Sequence, residues 1–239
     1  MCGRYVARRE VDDLVAEFEA EDAIGEPLLA DYNVAPTDPV PVVLTRHRSG
    51  DRGGPVVRQL RVARWGLVPS WAPDTRRTGK LINARAETIA GQPAFRAALL
   101  RRRCLVPADG WYEWAPRENG AGRQPTYLTR TDGSLLAFAG LYELWGDQRL
   151  LTSAIVTTAA VGELVRVHGR MPLVLPRAAW GAWLDPGRED VTDLLMPPDP
   201  ALVAGLDLRP VGPEVGNVAN DGPGLIQRVP GDPAVPTLF

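Results

Sequence analysis

Between residues 40 and 175 the chain is a succession of short β-type runs, broken only irregularly by helical segments. VPVVLT (40–45), QLRVARWGLV (59–68), CLVPADGWYEW (104–114), PTYLTRTDGSLLAFAGLYELW (125–145), TSAIVTTAA (152–160) and MPLVL (171–175) read as strands rich in β-branched and aromatic residues. Within the fourth, Asp132-Gly133 predicts a hairpin turn. Helical spacing is confined to short stretches. Val11, Leu14, Val15 and Phe18 share one face of VDDLVAEF, and Pro93 opens PAFRAALLRR with Phe95, Ala98 and Leu99 inward. A further short helix begins at the proline of PRAAWGAWLD. The Pro- and Gly-rich tail after Met196 holds one predicted strand, ALVAGLDLRPV (201–211). The absence of regular β–α alternation argues against a doubly wound parallel sheet. It predicts an α+β fold, a single domain around a curved antiparallel sheet or small barrel.

With 239 residues, 45% of them hydrophobic, the chain can bury a substantial core. No apolar run approaches the roughly 20 residues of a membrane helix, and no basic-then-apolar leader opens the chain. Two cysteines make no disulfide framework, and two histidines make a His/Cys metal site improbable. The expectation is a monomeric cytoplasmic protein with no metal or other cofactor and no membrane partner. Charge is unevenly spread: from Arg46 to Arg103 there are fourteen basic residues against Asp51, Asp74 and Glu87. Only Lys80 among the basic residues is a lysine. Clustered guanidinium suits a surface that meets phosphates, or it decorates solvated faces. Three of these arginines lie in RHRSGDRGGP (46–55), a predicted polar loop.

Four residues carry candidate chemistry. Cys2 stands directly after the initiator, and removal of Met1 would give it both an α-amine and a thiol. An α-amine has a pKa near 8, against about 10.4 for lysine, so it is a usable nucleophile at neutral pH. A 1,2-aminothiol condenses with an aldehyde to an imine, and the neighbouring thiol then closes a thiazolidine. The alternative is a buried cysteine acting as a small hydrophobe. Glu113, between aromatics in GWYEW, is a carboxylate whose pKa burial would raise toward proton shuttling, or a salt-bridge partner. His168, in VHGRMPLVL, is a proton donor or a hydrogen-bonded loop residue. Asn83, in INARAET, can orient an amine or a sugar oxygen, or cap a turn. Trp71 and Pro36 offer flat apolar surfaces in loop-like stretches, for a base or for loop packing.

MCGRY, YNVAPT, RWGLVPSWA, INARAET, the P-A-F-R helix, RCLVPADGWYEW and HGRMP together resemble, in order, the motifs of the SOS response-associated peptidase family. VGNVANDGPGLIQRV resembles its C-terminal segment. The resemblance implies a bifurcated antiparallel sheet with a small β-barrel core surrounded by helices, spanning residues 2–239 once Met1 is removed. It implies covalent capture of abasic sites in single-stranded DNA, with the protein in the cytoplasm and nucleoid-associated when bound. By the same resemblance Cys2 is the crosslinking residue, and Asn83, Glu113 and His168 complete the active site. Arg4 and Arg85 match phosphate-contacting arginines, and Pro36 and Trp71 match residues along the DNA path. Two other readings use the same side chains. One is a thiol peptidase with Cys2 as acyl acceptor. The other is a non-catalytic module that recognises single-stranded or modified DNA.

Overall fold

The computed structural model describes residues 2–47, 55–75, 81–117 and 122–230. In chain order the first elements are β1 (Tyr5–Ala7), α1 (Val11–Phe18), β2 (Glu21–Asp22), β3 (Asp31–Val34), β4 (Pro39–His47), β5 (Val56–Trp65) and β6 (Asn83–Arg85). Next come α2 (Pro93–Arg101), β7 (Arg103–Ala108), β8 (Gly110–Pro116), β9 (Arg123–Arg130), β10 (Leu136–Trp145) and β11 (Leu150–Ala159). The remainder is α3 (Leu164–Val167), β12 (Arg170–Pro172), α4 (Arg177–Leu184), α5 (Pro200–Ala204) and β13 (Leu206–Pro210).

Five of these strands close on themselves. β5, β4, β7, β10 and β11 pair antiparallel in that order. β11 then returns to β5 through parallel pairing of Thr152 with Arg64 and Ser153 with Trp65. Alternate residues face opposite sides of a strand. One set, including Val40, Val42, Leu44, Ala63, Trp65, Cys104, Val106, Phe138, Tyr142 and Ile155, packs inside this small barrel. The other set, including Val43, Leu60, Leu105, Leu141 and Val156, meets α1, α2 and α4 outside. The interior is tight at Gly140, where a Cβ would lie 2.9 Å from Cys104 Sγ. On the outer face Phe18 of α1 stacks on Trp180 of α4, with ring centroids 4.6 Å apart.

The barrel sheet forks. Pairing of β10 with β11 ends at Gly140 and Ile155. Beyond that point the chain after β12 fills the gap: Leu173 N–H donates to Val156 O and Leu173 O accepts from Ala139 N–H, both at 2.8 Å. β6 pairs in parallel with Ile155–Thr157 of β11, past the stretch that β5 occupies. A second sheet, ordered β13-β9-β8-β1-β3, covers the end of the barrel where β1 enters. There the Tyr5 ring packs edge-on against Trp65 and Phe138, both inside the barrel. The bifurcated sheet, barrel and surrounding helices match the architecture expected from the motifs.

Three local expectations are corrected. CLVPADGWYEW is two strands, β7 and β8, in different sheets. The chain turns between them at Asp109, whose buried carboxylate accepts from Arg8 N–H at 3.0 Å and Arg9 Nε at 2.9 Å. Asp132-Gly133 does form a tight turn, with Gly133 at φ 70° and Ser134 N–H bonded to Asp132 Oδ1. It carries the chain from one sheet to the other, however, so β9 and β10 do not pair with each other. The first half of ALVAGLDLRPV is helical: Asp199 caps α5 by accepting from Ala201 N–H at 2.8 Å, and Pro200 occupies the first turn. Of the predicted polar loop at 46–55, residues 48–54 lie outside the described residues, as do Met1 and Lys80. Among the described residues no helix is long and apolar enough to cross a membrane.

Candidate functional site

β1 is pinned between β8 and β3, and that places the chain's first residues at the covered end of the barrel. Tyr5 pairs with Trp111 of β8 and with Val34 of β3, and Arg4 O accepts from Tyr112 N–H at 3.0 Å. Cys2 is consequently fully buried. Its backbone carbonyl accepts a 2.7 Å hydrogen bond from Asn83 Nδ2. That contact joins β6, on the barrel side, to the amino-terminal residue of the second sheet. Asn83 Oδ1 is also buried and accepts no hydrogen bond among the described residues. A buried carbonyl oxygen left in this condition has a standing preference for a donor.

Glu113 reaches the same region from β8, with only 4% of its surface exposed. Burial raises its pKa, opposed by the positive amino terminus and by His168. Burial also pushes the Cys2 thiol well above its ordinary range, reinforced by the negative charge of Glu113. The amino terminus and the Arg4 backbone N–H act in the opposite sense on the thiol. A thiol held neutral is the reverse of the lowered-pKa environment that makes a cysteine a thiolate nucleophile.

His168 follows α3 directly and is half-buried. Its Nδ1 accepts from Arg170 N–H at 2.9 Å, and the Arg170 carbonyl stands 3.1 Å from the same nitrogen. Glu113 and His168 line one shallow depression together with Arg170 and Met171. Four elements (the segment before β1, β6, β8 and the end of α3) therefore converge with Cys2 at their meeting point. Among the described residues no group of three or more His, Cys, Asp or Glu side chains is arranged to hold a metal ion.

The other sequence candidates divide. Arg85 lies two residues beyond Asn83 on β6, so both project to the same side of the strand, while Ala84 between them is buried. The Arg85 guanidinium is exposed and makes no hydrogen bond or ion pair among the described residues. Trp71 is 67% exposed on a turn anchored by Trp145 Nε1, which donates to Ala72 O at 2.8 Å. Pro36 is half-buried in the turn between β3 and β4. That turn is clamped to the barrel by Thr37 N–H on Trp65 O at 2.7 Å, with Thr37 held at φ 83°. A β-branched residue in this region is strained by roughly 1–3 kcal/mol. Arg4 is partly committed elsewhere: Nη1 donates to Asn33 Oδ1 at 2.7 Å and to Val215 O at 2.9 Å.

Sequence reading missed Asn33, which is buried and fully engaged. Besides accepting from Arg4 it donates through Nδ2 to Asn217 O and Asn220 O, tying the late chain segment to β3. The basic segment also proves heterogeneous. Arg103 is 3% exposed, and its guanidinium donates to the carbonyls of Leu99, Leu100, Trp183, Asp185 and Arg188. Arg58 donates to Phe18 O at 2.9 Å, and Arg102 pairs with Glu143 at 2.6 Å. These arginines bind the protein itself.

The family model described as SOS response associated peptidase (SRAP) matches residues 1–218 of the chain. The chain is 34% identical over 234 residues to the abasic site processing protein YoqW of Bacillus subtilis, covering 95% of this chain and 99% of that protein. It is 31% identical over 223 residues to the abasic site processing protein HMCES of Gallus gallus, covering 80% of this chain and 64% of that one. Among solved structures, a protein from Bacteroides thetaiotaomicron superposes with a TM-score of 0.81 at 25% identity, over 95% of this chain and all of that one. A phage-related protein from Bordetella bronchiseptica gives 0.63 at 30% identity, over 88% and 94%. The chain belongs to the SOS response associated peptidase (SRAP) family.

Proposed function

We propose that this protein processes abasic sites by capturing them in single-stranded DNA as a thiazolidine on Cys2. The observation that carries this reading is the 2.7 Å bond from Asn83 Nδ2 to Cys2 O. It holds the second residue by its backbone, the part of Cys2 that an internal cysteine such as Cys104 could not offer as an amine. The similarity to abasic site processing proteins supports the substrate.

In this reading Met1 is removed first, leaving the α-amine on Cys2. The lesion's deoxyribose is mostly a closed hemiacetal, and His168 carries the anomeric hydroxyl proton to the ring oxygen as the ring opens to the aldehyde. The Cys2 amine, freed of its extra proton by Glu113, attacks C1′ and forms a carbinolamine. Loss of water gives the imine. Cys2 Sγ then bonds to C1′, and the thiol proton passes to the former imine nitrogen. One water leaves in all, and no oxidant or reductant is consumed. Asn83 Oδ1 would accept from the attacking amine. Arg85 and Arg4 would hold flanking phosphates, and Trp71 and Pro36 would support bases along the strand.

The neutral, buried thiol supports this order of events. An aminothiol that leads with its amine has no need of a thiolate, whereas a cysteine peptidase does. The test is incubation of the mature protein with an oligonucleotide carrying one abasic site, followed by a denaturing gel. Wild type gives a stable adduct. Cys2→Ser gives an adduct only when borohydride traps the imine, and Cys2→Ala retains at most this trappable species. A Cys2→Ser adduct that is fully stable without borohydride would sink the ring-closure step.

A further inference from the structure

The barrel has a second end, and it is built differently. Six residues along β4 from Val40, about 20 Å of extended chain, the same inward-facing phase reaches Arg46. On β5 the phase of Trp65 and Ala63 reaches Arg61 and Gln59. On β10 that of Phe138 reaches Tyr142, and at the start of β11 Arg149 follows the turn. These side chains, with Arg102, line one open cleft of about 770 Å³, a size that admits a nucleotide-scale ligand.

The charge of the cleft is unbalanced. Arg102 is paired with Glu143. Among the described residues, Arg46, Arg61 and Arg149 make no hydrogen bond or ion pair, and no carboxylate lines the cleft. The guanidinium of Arg61 is disfavoured first by burial and then by Arg46 and Arg149, so the three cations sense one another. Arg149 is held at φ 53°, a left-handed conformation that a side-chain-bearing residue rarely adopts. Like charges gathered in a concavity repel unless an anion joins them. Several planar forks close together match a ligand with several oxyanions, and Gln59 and Tyr142 add neutral donors.

We propose that this arginine-lined mouth, at the end of the barrel away from Cys2, binds linked phosphates through Arg46, Arg61 and Arg149. The ligand is either a free di- or triphosphate compound or the backbone of a nucleic acid strand. The inference stands apart from the Cys2 chemistry, because none of its residues belongs to that site.

Two probes test it on the full chain. Calorimetry with inorganic tripolyphosphate reads the free ligand. Anisotropy with an undamaged single-stranded oligonucleotide across a salt series reads the strand. The variants are the Arg61→Gln/Arg149→Gln double and, should the double not fold, Arg46→Gln alone. A loss of tripolyphosphate affinity of about tenfold or more, with the DNA salt slope unchanged, identifies a free phosphate compound. A fall of the DNA salt slope by about 0.7 per arginine removed identifies the strand backbone, whether or not tripolyphosphate binding also falls. No change with either probe in a folded variant overturns the proposal.

Discussion

Asn83 and Cys2 meet across the boundary between the two sheets, the amide of one donating to the backbone carbonyl of the other at 2.7 Å. Asn83→Asp keeps the shape and replaces the donor with an oxygen. Two acceptors would then face each other in a buried site, and the buried carbonyl loses its partner, at about 1–3 kcal/mol. The expected outcome is a crosslinking rate lower by about tenfold or more. Thermal melting and a time course on an abasic oligonucleotide check it together. An Asn83→Asp protein that crosslinks at the wild-type rate would separate this hydrogen bond from function.

Glu113 links stability to function with opposite signs. Its folded-state pKa is raised by burial above the unfolded value of about 4.3. A raised acid stabilises the fold fully below the unfolded pKa, and that contribution is lost as pH rises through the folded pKa. As pH rises, ionising this buried carboxyl therefore works against the fold. Glu113→Gln should melt higher than wild type near pH 7, and the difference should shrink toward pH 4. Its crosslinking should slow by about 10²-fold or more, the usual worth of a proton-transfer group. Melting curves from pH 4 to 8 beside crosslinking rates read both. A variant less stable than wild type at pH 7 contradicts the first expectation.

Arg103 acts on the fold alone. Its five carbonyl partners lie at and beyond the ends of α2 and α4, where helix carbonyls lack partners of their own. Arg103→Ala removes five hydrogen bonds, those to Trp183 O and Leu99 O fully buried, a loss of about 3–5 kcal/mol. For a chain of this length that is a fall of about 6–20 °C in Tm. Calorimetric melting measures it, and the salt slope of DNA binding should not move.

Arg85 and Trp71 are expected to separate charge from stacking. Arg85→Ala should weaken binding to undamaged single-stranded DNA and reduce its salt slope by about 0.7. Trp71→Ala should cost about 1–3 kcal/mol of binding with the slope unchanged. A titration of each variant at several salt concentrations distinguishes them. Equal slopes for Arg85→Ala and wild type would remove Arg85 from the phosphate path.

The contrast between Arg103 and Arg85 also marks how far the sequence could be read. Both belong to one basic stretch, and nothing local separates the arginine that binds helix carbonyls from the one left exposed beside Asn83. α1 and α2 were legible because their apolar spacing and Pro93 are local signals. The split at Asp109 was not, because the choice between continuing a strand and changing sheets depends on Arg8 and Arg9, a hundred residues away in sequence. Asp132-Gly133 shows the same limit: the turn is local, but the partner of each flanking strand is not. The convergence of Asn83, Glu113 and His168 on Cys2 was visible only through the ordered motifs. Eleven strands and the helices α1, α2 and α3 lie along the chain between Cys2 and His168. Asn33 stayed hidden because a satisfied buried amide leaves no trace in periodicity.

The central claim is that the backbone nitrogen and the sulfur of Cys2 bond to the same carbon of the lesion. Intact mass spectrometry of the product formed with an abasic oligonucleotide tests this most directly, followed by peptide mapping of the linkage. The account predicts a mass equal to the protein without Met1 plus the oligonucleotide less one water, carried on Cys2, and unchanged by borohydride. A covalent product that retains Met1, or one attached at any residue other than Cys2, would contradict it.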